Sequence, residues 1–168
     1  KTRKIGTRIS QKIIRKINVI TLDPFGYSET DSLKSPKNFA EKAGNALHIK
    51  TKQIAIKNLL LIKKNVPLDS LLMKESERLI RSQRFTRSVA SEMKIVAQDS
   101  VDVLITILDS WSLAPDVSPT TTKTKFYLRE RNIFGLGHEL ANSYTKSLTS
   151  KQFGYSLNYF VPTIKNSF

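Results

Sequence analysis

Hydrophobic and polar positions change period twice along the chain, and the changes predict its elements. Between Ile13 and Leu22 the β-branched content is dense, and Ile17, Val19 and Thr21 alternate with Lys16, Asn18 and Ile20, which predicts a strand. Asp23-Pro24-Phe25-Gly26 closes it, and the polar stretch from Tyr27 to Pro36 predicts a loop, followed by a short helix around Asn38 to Leu47. Apolar residues then recur at helical spacing. Ala55, Ile56, Leu59, Leu60 and Ile62 predict a helix over Lys52 to Ile62, with Thr51 as its N-cap and Asn65-Val66-Pro67 as its stop. Asp69 caps a second helix lined by Leu72, Ser76, Leu79 and Ile80, with Glu75, Glu77, Arg78 and Arg81 on its solvated side. From Phe85 the period falls to two: Phe85, Val89, Met93 and Ile95 share a side, with Arg87 and Ser91 between them, and Gln98-Asp99-Ser100 offers a hairpin turn. Val101, Val103, Ile105 and Ile107 face one way and Asp102, Leu104, Thr106 and Leu108 the other. A strand apolar on both sides over part of its length belongs in the middle of a sheet. The order strand, helix, helix, strand, strand predicts an α+β module, a three-stranded sheet with two helices on one face.

Beyond this module the character changes. Asp109 to Thr122, with Pro115, Pro119 and many Ser and Thr residues, predicts a boundary loop, and we place the linker at 111–122. Lys125, Tyr127, Arg129 and Arg131 alternate with Phe126, Leu128, Glu130 and Asn132. Phe134-Gly135-Leu136-Gly137 predicts a turn, and His138 to Thr145 opens another strand. The clearest segment is Gln152 to Val161. Phe153, Tyr155, Leu157, Tyr159 and Val161 occupy one face, Gln152, Gly154, Ser156 and Asn158 the other, and Pro162 stops it. Segments of roughly ten residues that alternate apolar and polar, rich in aromatics and separated by turns, are the signature of transmembrane β-barrel strands. A soluble sandwich alternates similarly, but these strands are too few to close a barrel, so the reading expects them to belong to a larger domain.

Composition alters this picture little. The 168 residues carry a formal charge of +14 from 28 basic and 14 acidic side chains. Such a balance fits nucleic acid, an anionic membrane surface, an acidic partner, or one basic part of a larger protein. Lys1, Arg3, Lys4, Arg8, Lys12, Arg15 and Lys16 form an acid-free basic run, and residues 1–12 are taken as a basic lead-in. This run supports a competing reading as a basic nucleic-acid-binding module. Against it, the aromatics sit on alternating strand faces and not within the run, so no nucleic-acid partner is expected. The absence of cysteine excludes a disulfide framework, a thiolate metal site and a cysteine nucleophile. The longest apolar stretch, Ile54 to Ile62, is broken by Lys57 and Asn58 and is far short of a membrane helix. His48 and His138 lie on different modules, so no metal site is expected. Gly135 and Gly137 lack a following Lys-Ser/Thr, which removes a phosphate loop. No cofactor and no catalytic residue are expected.

Three stretches carry a family resemblance. Thr51, Ile56 and Leu59-Leu60, then Leu72-Met73-Lys74-Glu75-Ser76-Glu77-Arg78-Leu79, then Phe85-Thr86-Arg87-Ser88-Val89, resemble a POTRA repeat. Arg131-Asn132-Ile133-Phe134-Gly135-Leu136-Gly137-His138 resembles the N-hydrophobic-F-G-x-G signature at the start of the barrel in BamA-like outer-membrane proteins, and Tyr155-Ser156-Leu157-Asn158-Tyr159-Phe160-Val161-Pro162 resembles an early barrel strand of that superfamily. The resemblance covers most of the chain from Ile13 onward. It implies a POTRA-like β-α-α-β-β module over 13–110, with an insertion at about 26–49 longer than a minimal module has, and the first strands of a barrel over 123–168. The superfamily's VRGF loop motif is absent from the sequence.

The resemblance also implies a function. The module would lie in the periplasm and handle unfolded or nascent outer-membrane proteins, with accessory assembly subunits and outer-membrane lipid as further partners. The alternative within the superfamily is transport of a partner polypeptide across the outer membrane. The physical means would be strand addition, in which an extended client pairs with an exposed sheet edge through its main chain. If the strand from Val101 to Leu108 is central, the exposed edge is the strand from Thr86 to Ile95, and Arg87, Val89, Ser91 and Met93 are its expected contacts. Asn132, Phe134, Gly135 and Gly137 are the barrel-start turn, and Phe153, Tyr155, Leu157, Tyr159 and Val161 the lipid-facing row.

Overall fold

The computed structural model describes residues 12–150 and 152–162. Lys1, Arg3, Lys4 and Arg8 of the basic run and residues 163–168 lie outside the described residues. The element order is β1 (Ile13–Leu22), α1 (Phe39–Leu47), α2 (Gln53–Lys57), α3 (Ser70–Arg81), β2 (Thr86–Ala97), β3 (Ser100–Asp109), β4 (Leu113–Pro119), β5 (Lys123–Ile133), β6 (His138–Ser147) and β7 (Phe153–Phe160). The strands form two sheets, mixed α+β in class: a three-stranded sheet ordered β1-β3-β2 and a four-stranded sheet ordered β4-β5-β6-β7.

In the first sheet β3 is central, parallel to β1 and antiparallel to β2. Its alternation explains the position. Val101, Val103, Ile105 and Ile107 are fully buried beneath the helices, and α2 packs on β1 while α3 packs on β2. The hydrophobic core joins Ile14, Val19, Ile56, Leu59, Ile62, Leu68, Met73, Ile80, Phe85 and Val89 to those four, and every member belongs to this module. The two sheet edges differ. The start of β1 is closed by the turn before α3, where Ile14 N–H bonds Val66 O at 3.0 Å and Leu68 N–H bonds Lys12 O at 2.8 Å. The outer edge of β2 has no strand against it among the described residues.

Local sequence accounts for α1 and α3. Asn38 caps α1 in a complete capping box with Glu41, and the Asp69 carboxylate caps α3 by accepting from Leu71 and Leu72 N–H. Two details of the helices depart from expectation. The helix expected over Lys52 to Ile62 is only the five residues of α2. Thr51 does not cap it, because its amide and hydroxyl are engaged elsewhere (below), and the chain unwinds so that Leu59 and Ile62 reach the core. On α3 the buried row is Met73, Ser76 and Ile80, whereas Leu72 is exposed. Ser76 Oγ accepts from Leu61 N–H at 2.9 Å and so ties the unwound segment to α3.

The linker expected at 111–122 holds β4, which corrects that boundary. Leu113 to Pro119 pairs with β5 residue by residue, Pro115 opposite Leu128 and Pro119 opposite Thr124. Two prolines are compatible with a strand here because, among the described residues, β4 is an edge with one side free of ladder bonds. The Thr120 hydroxyl and amide both bond Lys123 O at 2.8 Å and tighten the turn into β5.

Candidate functional site

The four-stranded sheet has two chemically distinct faces. Opposed residues share a face, and the rows Val117–Phe126–Tyr144–Tyr155, Pro115–Leu128–Asn142–Leu157 and Leu113–Glu130–Leu140–Tyr159 run across all four strands. The opposite face carries Asp116–Tyr127–Ser143–Ser156 and Ala114–Arg129–Ala141–Asn158, with Lys125 opposite Thr145 and Ser118. Nothing among the described residues covers the apolar face. All of β7 is exposed, Phe153 at 63% and Tyr155 at 66% of their full areas. Val161, the last of the expected row, lies just past β7 and is half-buried.

Several polar groups on the apolar face are engaged by a β7 aromatic or by the turn, while Thr124, opposite Pro119 and Lys146, has no side-chain partner among the described residues. Tyr155 Oη donates to Asn142 Oδ1 at 2.7 Å, Tyr159 Oη hydrogen-bonds His138 Nδ1, and the Lys146 ammonium lies 5.9 Å from the Phe153 ring centre. Glu130 Oε1 accepts from Asn132 N–H at 2.9 Å. Among the described residues no helix is long and apolar enough to cross a membrane.

The turn from β5 to β6 locks the two sheets together. Asn132 is fully buried, and its side chain makes three bonds: Nδ2 donates to Ile49 O and Thr51 Oγ1, each at 2.9 Å, and Oδ1 accepts from Gly137 N–H at 2.8 Å. Lys52 N–H donates to Gly135 O at 2.8 Å. Gly135 and Gly137 have φ of +70° and +76°, conformations that L side chains rarely adopt. A Cβ on Gly135 would lie 2.3 Å from Lys50 O, and one on Gly137 would lie 2.5 Å from the Phe85 ring. Phe134 shares the left-handed conformation and points out, exposed.

A second layer stands behind the turn. The Asp109 carboxylate is fully buried and its Oδ2 accepts from Thr51 N–H at 2.7 Å and pairs with His48 Nε2 at 3.0 Å. Trp111 lies beside His48 and Phe25, ring centres 6.5 and 5.6 Å away. Outside this cluster Glu139 on β6 joins Arg84 at 2.7 Å and Arg129 at 3.3 Å. Of the four expected turn residues, Asn132 and Gly135 are therefore brought against residues 49–52 and Gly137 against Asn132 and Phe85, while Phe134 stays outside. His48, Asp109 and Trp111, which the sequence left as an isolated histidine and parts of a loop, complete the cluster. A buried polar set drawn from 48–51, 109 and 132 leaves no periodic signal, since its members come together only through the fold.

On β2, Val89, Ser91 and Met93 lie opposite Ile107, Ile105 and Val103 and so share the helix-covered face. Val89 is buried in the core, Ser91 Oγ hydrogen-bonds Glu77 on α3, and Met93 emerges beyond the helix, half-exposed. Arg87 is exposed at the bulge between Thr86 and Ser88. Of the described members of the basic run, Lys12 Nζ bonds the carbonyl of Gln98 and Arg15 Nε donates to Asp102 Oδ1 at 2.8 Å, while Lys16 makes no ion pair among the described residues. Among the described residues no cluster of three or more His, Cys, Asp or Glu could hold a metal.

No family model and no curated protein matches the chain. Among solved structures it is similar to BamA from Haemophilus ducreyi lacking POTRA domains 1–3, at 14% identity and a TM-score of 0.59, over 88% of this chain and 24% of that one. It is also similar to CdiB from Acinetobacter baumannii, at 11% identity and a TM-score of 0.43, over 89% of this chain and 25% of that one. The chain thus spans about a quarter of the length of each structure. Its α+β architecture of two sheets joined at a buried turn is, as a fold, similar to part of the BamA structure.

Proposed function

We propose that the chain is the junction between a periplasmic POTRA module and the first strands of an outer-membrane β-barrel, and that the whole protein assembles β-barrel proteins into that membrane. The observation that carries this reading is the uncovered, mostly apolar face of the β4–β7 sheet, where the β7 tyrosines engage Asn142 and His138. In water such a face is a liability, and in lipid it is a requirement. The ten and eleven residues of β6 and β5 match the length of a tilted membrane strand. Phe153, Tyr155, Leu157, Tyr159 and Val161 would face lipid. Asn132, Phe134, Gly135 and Gly137 would fix the barrel start on the module.

Client polypeptides would add a strand to the open edge of β2, where main-chain groups recognise extended chains of many sequences. Met93 and Arg87 would be the side chains a client meets. Val89 and Ser91, held by the core and by Glu77, would keep the edge flat against α3. This role needs no catalytic group and no cofactor. The test places photo-cross-linkers at Met93 and Ile95 on β2 and at Lys74 on α3 and offers an unfolded barrel polypeptide. Labelling from β2 is expected. Labelling confined to α3 would overturn edge addition, and a cross-linked partner recovered beyond the membrane, not folded in it, would assign the protein to polypeptide transport.

A further inference from the structure

We propose that α1, in the insertion between β1 and α2, is a membrane-surface helix, its apolar stripe set among acyl chains and its lysines among anionic lipid headgroups. The inference rests on the barrel reading above, because only that reading brings a bilayer to this end of the molecule.

Three observations support it. First, α1 forms without burying any residue: the Asn38–Glu41 capping box defines it locally, and its core contribution is nil. Its attachment is one-sided, with Asn45 bonded through its side chain to the Phe25 amide and carbonyl and Gly44 packed on the Phe25 ring. Away from that side, Phe39, Ala43 and Leu47 repeat every four residues along one stripe. Phe39 is 85% and Leu47 73% exposed, and Leu33 just before the helix is 91% exposed. Such an apolar stripe on an isolated amphipathic helix is the pattern of an interfacial segment.

Second, the charges around the stripe select the partner. Lys34, Lys37 and Lys42 make no ion pair among the described residues, whereas Lys50 is held by Asp23 at 3.0 Å. Glu41, the one acid within the helix, has its carboxylate turned to the Lys37 and Asn38 amides. Unpaired lysines beside an apolar stripe complement phosphate headgroups above acyl chains.

Third, position favours it. His48, the residue after α1, is bonded to Asp109, Ile49 O to Asn132 Nδ2, and Lys52 N–H to Gly135 O. Leu47 is therefore two residues from the segment that grips the β5–β6 turn, at the module end of the apolar face, a reach of about 7 Å at most.

This chain has no cysteine, so a cysteine placed in it is the one thiol this part of the protein offers a fluorophore. The full-length protein, labelled at Phe39→Cys, Ala43→Cys, Leu47→Cys, Asn45→Cys or Leu157→Cys, is reconstituted in vesicles of phosphatidylethanolamine with or without phosphatidylglycerol. Lipid with brominated acyl chains then quenches labels that enter the bilayer. The expected result is a blue shift and loss of emission at 39, 43 and 47 but not at 45, stronger with phosphatidylglycerol, and lost when Lys34, Lys37 and Lys42 are all changed to Glu. Emission at α1 unaffected by brominated lipid while Leu157→Cys is quenched would overturn the proposal and leave the barrel reading standing. Absence of quenching at Leu157→Cys would overturn both. Quenching indifferent to phosphatidylglycerol would overturn the assignment to anionic lipid, and a blue shift that follows protein concentration instead of lipid would assign the stripe to a second copy of the chain.

Discussion

Asn132 concentrates more consequence than any other side chain described. Its amide satisfies Ile49 O, Thr51 Oγ1 and Gly137 N–H at once, and a shorter residue leaves those buried groups without partners. Asn132→Ala is expected to cost about 1–3 kcal/mol for each group left unsatisfied and dry, less where water enters. The single tryptophan, Trp111, sits beside the cluster, so its fluorescence in a urea titration reads the loss directly. An unchanged midpoint would mean the turn is held by Gly135 and the surrounding packing alone. Gly137→Ala combines a left-handed φ with a clash on Phe85 and is expected to destabilise by about 1–3 kcal/mol by the same measurement. Arg15 supplies a pH-dependent contribution of another kind. Its guanidinium, hydrogen-bonded to Asp102, holds that carboxyl below the usual carboxylate range. A folded-state value below the unfolded one gives stability that is present above the unfolded value and lost as pH falls through the folded one. Wild type and Arg15→Ala should therefore differ in urea midpoint at neutral pH and converge in acid. A difference that persists in acid would mean that Arg15 acts through packing of its stem.

At the scale of elements, β7 discriminates between the environments proposed for its two faces. Leu157→Lys places a charge on the apolar face and Ser156→Lys places one on the other. In a bilayer the first is expected to cost about 2–4 kcal/mol at the midplane, less toward an interface, while the second is tolerated. The share of protein folded in the membrane fraction measures both. Equal tolerance would remove the lipid-facing assignment. The row Phe153, Tyr155, Leu157, Tyr159 was legible in the sequence because strand alternation is strictly local. The pairing of Tyr155 with Asn142 and of Tyr159 with His138 was not, since it depends on the register of β6 against β7. β4 was hidden for a related reason: Pro115 and Pro119 read as strand breakers unless the strand is known to be an edge.

At the scale of the molecule, a module that carries its own core is joined to a sheet that, among the described residues, adds nothing to that core. Every residue of the hydrophobic cluster lies between Ile14 and Ile107, and Asn132 and Ser143 are the buried residues described in the second sheet. Residues 12–110 alone are expected to unfold cooperatively in urea, whereas residues 111–162 alone should lack a cooperative transition in water and gain strand structure in detergent or lipid. Circular dichroism of the two pieces checks this, and a cooperative transition of 111–162 in water would contradict an apolar face intended for lipid.

The sequence by itself determined what is periodic and local: the strands β1 to β3 and β5 to β7, the presence of α1, the Asp69 cap of α3, the central place of β3, and the glycine turn after Asn132. Only the tertiary structure decided how far α2 extends, that β4 is a strand, and that His48, Thr51, Asp109 and Asn132 meet. The physical reason is the range of the forces. Alternation and capping are set within a few residues, whereas a buried hydrogen bond draws its partners from positions more than 80 apart and overrides the local preference of each, as Asn132 does when it claims the Thr51 hydroxyl that would have capped α2.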